Sequence, residues 1–96
     1  MASNRGVQPG RRLGHSVRVG NQDVYLTPAE LRLWELLRSQ PGRTFTRDEL
    51  VARVMPETIV LDRTIDAHVR SLRRKLGPAA AMIETVYRAG YRFVPA

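Results

Sequence analysis

Asp62-Arg63-Thr64-Ile65-Asp66-Ala67-His68-Val69-Arg70-Ser71-Leu72-Arg73-Arg74-Lys75-Leu76 is the stretch on which the reading of this 96-residue chain turns. On a 3.6-residue wheel Ile65, Val69, Leu72 and Leu76 form one narrow apolar stripe. Arg63, Ala67, Arg70 and Arg74 fall on the opposite side, flanked by Thr64 and Ser71. Asp62 can cap such a helix and Gly77-Pro78 can close it, so residues 62–76 read as an amphipathic helix with small and basic side chains outward. Five basic residues from Arg63 to Lys75 oppose only Asp66 inside the helix, whereas a face serving solubility alone intersperses both signs. A helix of this kind can lie close in a major groove while its guanidinium forks reach guanine edges and phosphates. The plainer alternative is a solvated, charged surface. Asp66 would repel phosphate if it faced a groove, so it is expected to point sideways toward Arg63 or Arg70 and orient them.

Working outward, two further helices announce themselves by local chemistry. Thr27-Pro28-Ala29-Glu30 is a capping box with proline at the first helical position, followed by Leu33, Trp34, Leu36 and Leu37 at helical spacing and ended by Gln40-Pro41-Gly42. Thr46-Arg47-Asp48-Glu49 is a second capping box, opening a helix with Leu50, Val51 and Val54 inward and a stop at Pro56. Met55 to Leu61 carries proline and β-branched residues without helical period and reads as a loop. Val17-Arg18-Val19 and Val24-Tyr25-Leu26 flank the turn residues Gly20-Asn21-Gln22-Asp23, which is the pattern of a hairpin. After an alanine-rich connector, Ile83–Tyr87 and Tyr91–Val94 read as two strands joined through Arg88-Ala89-Gly90. The expected fold is α+β: a winged helix-turn-helix with an N-terminal antiparallel sheet, three helices and a C-terminal hairpin wing, over residues 15–96. Residues 1–14 read as a flexible, arginine- and glycine-containing lead-in.

Composition bounds the partners. The formal net charge is +7, the bias expected for an anionic partner such as nucleic acid or a membrane surface. Fifteen of the sixteen basic residues are arginine, which reflects either a need for the planar donor fork or arginine-rich codon usage. Without cysteine there is no disulfide framework, thiol nucleophile or thiolate zinc site. His15 and His68 are the two histidines, so no metal site is expected, and His68 on the helix flank donates to a phosphate or base or simply packs. The nine carboxylates fall at caps, loops and helix surfaces without a paired constellation, and no glycine-rich phosphate loop follows a strand; no enzyme and no cofactor is expected. The chain reads as cytosolic, with neither a membrane span nor a signal-peptide core.

Three signatures in this order resemble the OmpR/PhoB family of response-regulator output domains over roughly residues 17–96: Leu26-Thr27-Pro28-Ala29-Glu30, Arg63 through Leu76, and Gly90-Tyr91-Arg92-Phe93. The resemblance implies sequence-specific binding of double-stranded DNA in a bacterial two-component system, with helix 62–76 in the major groove and the wing, residues 83–94, on the adjacent minor groove. It implies DNA contacts at the positions matching Arg63, Thr64, His68, Arg70 and Arg73. With the outer-face and wing residues, the expected set becomes Arg63, Thr64, Ala67, His68, Arg70, Ser71, Arg73, Arg74, Thr85, Tyr87 and Arg88. The 55–61 loop, with Pro56, Glu57, Thr58, Ile59 and Val60, is where members of the family contact RNA polymerase. Two departures stand out. Tyr87-Arg88 occupies the place of the family's arginine-glycine, shifting the basic wing residue by one and removing the glycine that eases the turn. The residues before Val17 look too irregular for two strands of the family's four-stranded first sheet, so that sheet is expected to be reduced or frayed.

No acidic pocket of a phosphoacceptor receiver precedes the domain, and the lead-in resembles a cut linker, so the expectation is a piece of a longer regulator. The resemblance implies a full-length protein dimeric on direct repeats, and the isolated domain is expected to be monomeric. The rival readings are a winged-helix protein-interaction module, whose helix face would be apolar or acidic, and a stand-alone or membrane-tethered regulator domain.

Overall fold

The computed structural model describes residues 15–55 and 62–95. Strands β1 (His15–Val19) and β2 (Gln22–Leu26) pair antiparallel, with His15 opposite Leu26 and Val19 opposite Gln22. The turn is therefore only Gly20-Asn21, shorter than the sequence suggests. Gly20 has φ +61°, which suits the first central residue of a two-residue hairpin turn, and this lets Gln22 and Asp23 join the strand. Helix α1 (Pro28–Ser39) and helix α2 (Arg47–Val54) both begin at the expected capping boxes. Thr27 Oγ1 accepts from the Glu30 N–H at 3.2 Å, and Thr46 Oγ1 accepts from the Glu49 N–H at 3.1 Å. Helix α2 stops at Val54, ahead of Pro56, and its last carbonyl is satisfied by the Arg32 guanidinium at 3.1 Å.

Helix α3 runs from Asp62 to Leu76, so Asp62 is its first residue rather than its cap. Gly77, at φ +60°, ends it in the left-handed conformation common after a helix C-terminus. The alanine-rich connector that follows is a 3-10 helix, Gly77–Met82, rather than an irregular link. Strands β4 (Ile83–Val86) and β5 (Gly90–Phe93) form the wing, and β5 also pairs with the short strand β3 (Phe45–Thr46), giving a three-stranded antiparallel sheet in the order β3-β5-β4.

The strands of the wing end one residue earlier than the sequence reading places them. The Ala89 N–H donates to the Val86 carbonyl at 2.9 Å, so the turn is Tyr87-Arg88-Ala89 and Gly90 is already a strand residue opposite both Val86 and Thr46. Gly90 has to be glycine there: a Cβ would sit 1.9 Å from the Phe45 carbonyl oxygen.

One apolar core joins these elements. Ile65, Val69, Leu72 and Leu76, the predicted stripe of α3, are all buried against Leu33, Trp34 and Leu37 of α1, Leu50 and Val54 of α2, and Phe45, Tyr91 and Phe93 of the sheet. Trp34 meets Phe93 edge to face, with centroids 5.6 Å apart. Val51, read as facing inward, is only partly buried, as is Leu36. The core fixes α3 between the first two helices and the wing, and turns its opposite face outward.

Candidate nucleic-acid interface

On that outer face Ala67, Arg70 and Arg74 are exposed, and Thr64 and His68 flank them half-buried. Arg70 and Arg74 form no hydrogen bond or ion pair with another described residue. Arg63 lies on the first turn of α3, with its side chain outside the described residues, as are Pro56, Glu57, Thr58, Ile59 and Val60 of the loop.

Three residues of the expected contact set, Ser71, Arg73 and Thr85, are engaged by the protein itself. The Ser71 hydroxyl donates to Glu30 Oε2 at 2.6 Å, and the neighbouring Lys75 ammonium donates to Glu30 Oε1 at 2.6 Å. Glu30 is 2 % exposed and also accepts from the Thr27 N–H at 2.9 Å. Burial pushes its carboxyl up, but the bonds from Lys75, Ser71 and Thr27 outweigh that and hold it below its ordinary value. Arg73 reaches sideways, donating to the Ile83 carbonyl and to Thr85 Oγ1, each at 2.9 Å. Arg73 and Thr85 thus tie α3 to the first strand of the wing.

Asp66 corrects a specific expectation. Its Oδ1 accepts from Arg47 Nε at 2.8 Å and from the Tyr91 hydroxyl at 2.6 Å rather than from Arg70, while the other expected partner, the Arg63 side chain, lies outside the described residues. The reason is the packing: α2 begins at Arg47 and β5 passes Tyr91 on the same side of α3, and both present donors to the one acid on that helix face. Burial raises the Asp66 carboxyl, yet the bonds from Tyr91 and Arg47 and the positive charges of Arg47 and Arg70 hold it below its ordinary value. Burial and the Asp66 carboxylate push the Tyr91 phenol up. The Arg47 and Arg73 guanidinium carbons lie 5.3 and 5.6 Å from the Tyr91 ring centroid. Neither Arg47 nor Tyr91 stood out in sequence as part of this site.

At the wing tip Tyr87 is 81 % exposed, and the Arg88 guanidinium lies 5.2 Å from its ring centroid. Arg88 has φ +62°, the one non-glycine residue among those described with a positive φ. It stands where a turn with an i-to-i+3 hydrogen bond normally carries glycine when φ is positive. The departure read in the sequence is thus a real strain in the backbone. On the flank of the wing Arg92 Nε donates to Glu84 Oε1 across the two strands.

Residues 21–93, from the first hairpin turn to the last wing strand, match the family model described as "Transcriptional regulatory protein, C terminal". The chain belongs to that family. Every interface residue above, from Arg47 to Tyr91, falls inside the family match. It is 44% identical over 72 residues to the transcriptional regulatory protein BaeR of Escherichia coli, an alignment covering 71% of this chain and 30% of BaeR. The chain therefore spans about a third of the length of such curated relatives. Among solved structures it resembles the DNA-binding domain of the response regulator AdeR in complex with an intercistronic region, at 34% identity and TM-score 0.75, covering 85% of this chain and 87% of that one. It also resembles the Klebsiella pneumoniae RstA DNA-binding domain in complex with the RstA box, at 29% identity and TM-score 0.71, covering 93% and 89%. The fold is accordingly the winged helix of response-regulator output domains.

Proposed function

We propose that this chain binds double-stranded DNA as the output domain of a two-component transcriptional regulator, with α3 in the major groove and the wing on the adjacent minor groove, and with no catalytic step. The observation that carries this reading is the outer face of α3. Arg70 and Arg74, unpaired among the described residues, flank Ala67, whose small side chain lets the helix approach a groove floor. The AdeR and RstA domains, each determined with a piece of DNA, share this fold and support the same use here. Thr64, His68 and the wing-tip pair Tyr87 and Arg88 complete the contact surface, with Arg63 at its leading edge. Ser71, Arg73 and Thr85 serve it from behind, holding the helix and wing in place.

Regulation belongs to the same proposal: a receiver elsewhere in the full protein drives pairing on direct repeats, and the segment 55–61 meets RNA polymerase, all in the cytoplasm. Among the described residues no helix is long and apolar enough to cross a membrane.

Selection of bound sites from a random duplex library at physiological salt tests the reading, because purely electrostatic binding fades there while base readout survives. A repeated short half-site is the expected product. Arg70→Ala should then cost about 1–3 kcal/mol on the selected duplex if Arg70 reads a base. Equal weakening on every duplex would reduce Arg70 to a phosphate contact, and unchanged binding would remove it from the interface.

A further inference from the structure

Asp66 is the odd residue of a basic helix, and the structure gives it a use. It sits on α3 one turn before Arg70, yet its hydrogen bonds go to other elements. One oxygen, Oδ1, takes a proton donor from each neighbouring element: Arg47 Nε at the start of α2 and the Tyr91 hydroxyl in the middle of β5. The Tyr91 ring is buried, 5% exposed, with the Arg47 and Arg73 guanidinium groups on it. Arg73 then continues to the Ile83 carbonyl and Thr85 hydroxyl of β4. Both strands of the wing are thus tied to α3, β5 through Asp66 and Tyr91 and β4 through Arg73.

Such ties matter because each strand of the wing is only four residues long. A two-stranded hairpin has little stability of its own, so the angle it makes with a neighbouring helix is set by what holds its base, here the pairing of β5 with β3, the core residues Ile83 and Phe93, and these polar ties. A phenol on a carboxylate is a short, charge-assisted bond with a defined direction. The pairing with Arg47 also neutralises a negative charge that would otherwise oppose a polyanion from within α3.

We infer that Asp66 and Tyr91, braced by Arg47, are positioning residues for DNA reading: they join wing and helix into one rigid piece, so that both grooves are met at a preset angle. This rests on the DNA-binding reading above. Neither residue needs to touch the duplex.

The test measures coupling rather than affinity alone, using the full chain and the duplex recovered by selection with the wild type. Tyr91→Phe keeps the buried ring and removes only the hydroxyl, and its thermal midpoint reports that it still folds. Arg88→Ala removes a wing-tip side chain without changing the strained backbone position, so it reads the wing's contribution. In the wild-type background Arg88→Ala is expected to weaken binding about tenfold, and in the Tyr91→Phe background less than about threefold, because a wing no longer held in register has less to lose. Tyr91→Phe itself is expected to weaken the selected duplex about five- to tenfold while leaving a scrambled duplex nearly unaffected. Asp66→Asn, which keeps an oxygen acceptor for the phenol, should fall between the two and provides the second variant should Tyr91→Phe prove unstable. Equal Arg88→Ala losses in both backgrounds would overturn the inference, as would a folded Tyr91→Phe that binds like wild type or an Arg88→Ala without effect on the wild type. Failure of the wild type to select any duplex would overturn instead the DNA-binding reading on which the inference stands, and is told apart by occurring before any substitution.

Discussion

The two ends of α3 are anchored by the same kind of chemistry with the ownership reversed. Toward its C-terminus the carboxylate belongs to the scaffold: Glu30 of α1, 3% exposed in its side chain, accepts from Ser71 and Lys75 of α3. Toward its N-terminus the carboxylate is the helix's own: Asp66, 36% exposed in its side chain, accepts from Arg47 of α2 and Tyr91 of β5. The first anchor is buried, so its cost in lost hydration is high and only a full set of donors makes it tolerable. The second is nearer water, where a pair contributes less to stability but still fixes direction. The difference separates two tasks. Glu30 holds the helix in the domain, and Asp66 holds the wing to the helix. Both remove a charge from the balance of α3, and among the described residues Arg70 and Arg74 remain outward.

The harshest way to break the second anchor without touching its polar atoms is Gly90→Ala. The new Cβ would meet the Phe45 carbonyl oxygen at 1.9 Å and the Phe45 carbonyl carbon at 2.9 Å, at a residue whose φ is +156°. Strand β5 must then move away from β3 and carry Tyr91 with it. A loss of about 3 kcal/mol or more in urea unfolding is expected. A variant as stable as wild type would show that the crossing of β3 and β5 yields freely.

Glu30→Gln attacks the first anchor and comes next in size, about 1–3 kcal/mol at neutral pH, since an acceptor remains but the charge facing Lys75 is gone. The pH dependence sharpens the comparison. The folded protein holds the Glu30 carboxyl below its ordinary 4.5 and the Asp66 carboxyl below its ordinary 3.8. A depressed folded value means that the stability is fully present above the ordinary value and is lost as pH falls through the folded one. The unfolding midpoint of the wild type should therefore be level from neutrality to the upper carboxylate range and decline below it. In Glu30→Gln the decline should be shallower, leaving chiefly the contributions of Asp66 and Glu49, whose carboxyl is also held down. Identical acid limbs in the two proteins would deny Glu30 its role.

Legibility in the sequence followed distance along the chain. Both capping boxes are three-residue contacts and were readable directly, as was the buried stripe Ile65, Val69, Leu72 and Leu76, which needs only the helical period. The second roles of the same residues were not readable. Glu30 meets Ser71 and Lys75 across 41 and 45 residues, and Asp66 meets Arg47 and Tyr91 across 19 and 25. No local pattern says which of several donors will be nearest once three helices and a sheet converge. Arg73, expected at the duplex from the family resemblance, has a side chain long enough to reach around to the wing. The wing turn was misplaced by one residue for a related reason. Glycine at 90 looked like the turn residue, but it is required by the close approach of Phe45, and the turn's positive φ fell on Arg88.

That misplaced positive φ carries the smallest predicted effect. Arg88 belongs to neither anchor, so relieving it tests whether the wing tip is shaped for the stability of the domain or for something outside it. Arg88→Gly removes the penalty of a left-handed arginine but adds flexibility to the unfolded chain, and the balance is a gain of about 0.5–1 kcal/mol in unfolding free energy. The same change deletes a cation exposed beside Tyr87 and should weaken the selected duplex. Stability and binding are therefore expected to move in opposite directions, the pattern of strain kept at a working position. If Arg88→Gly left binding unchanged while stabilising the fold, the left-handed arginine would be a cost without a use, and the wing's contribution would have to lie in Tyr87 alone.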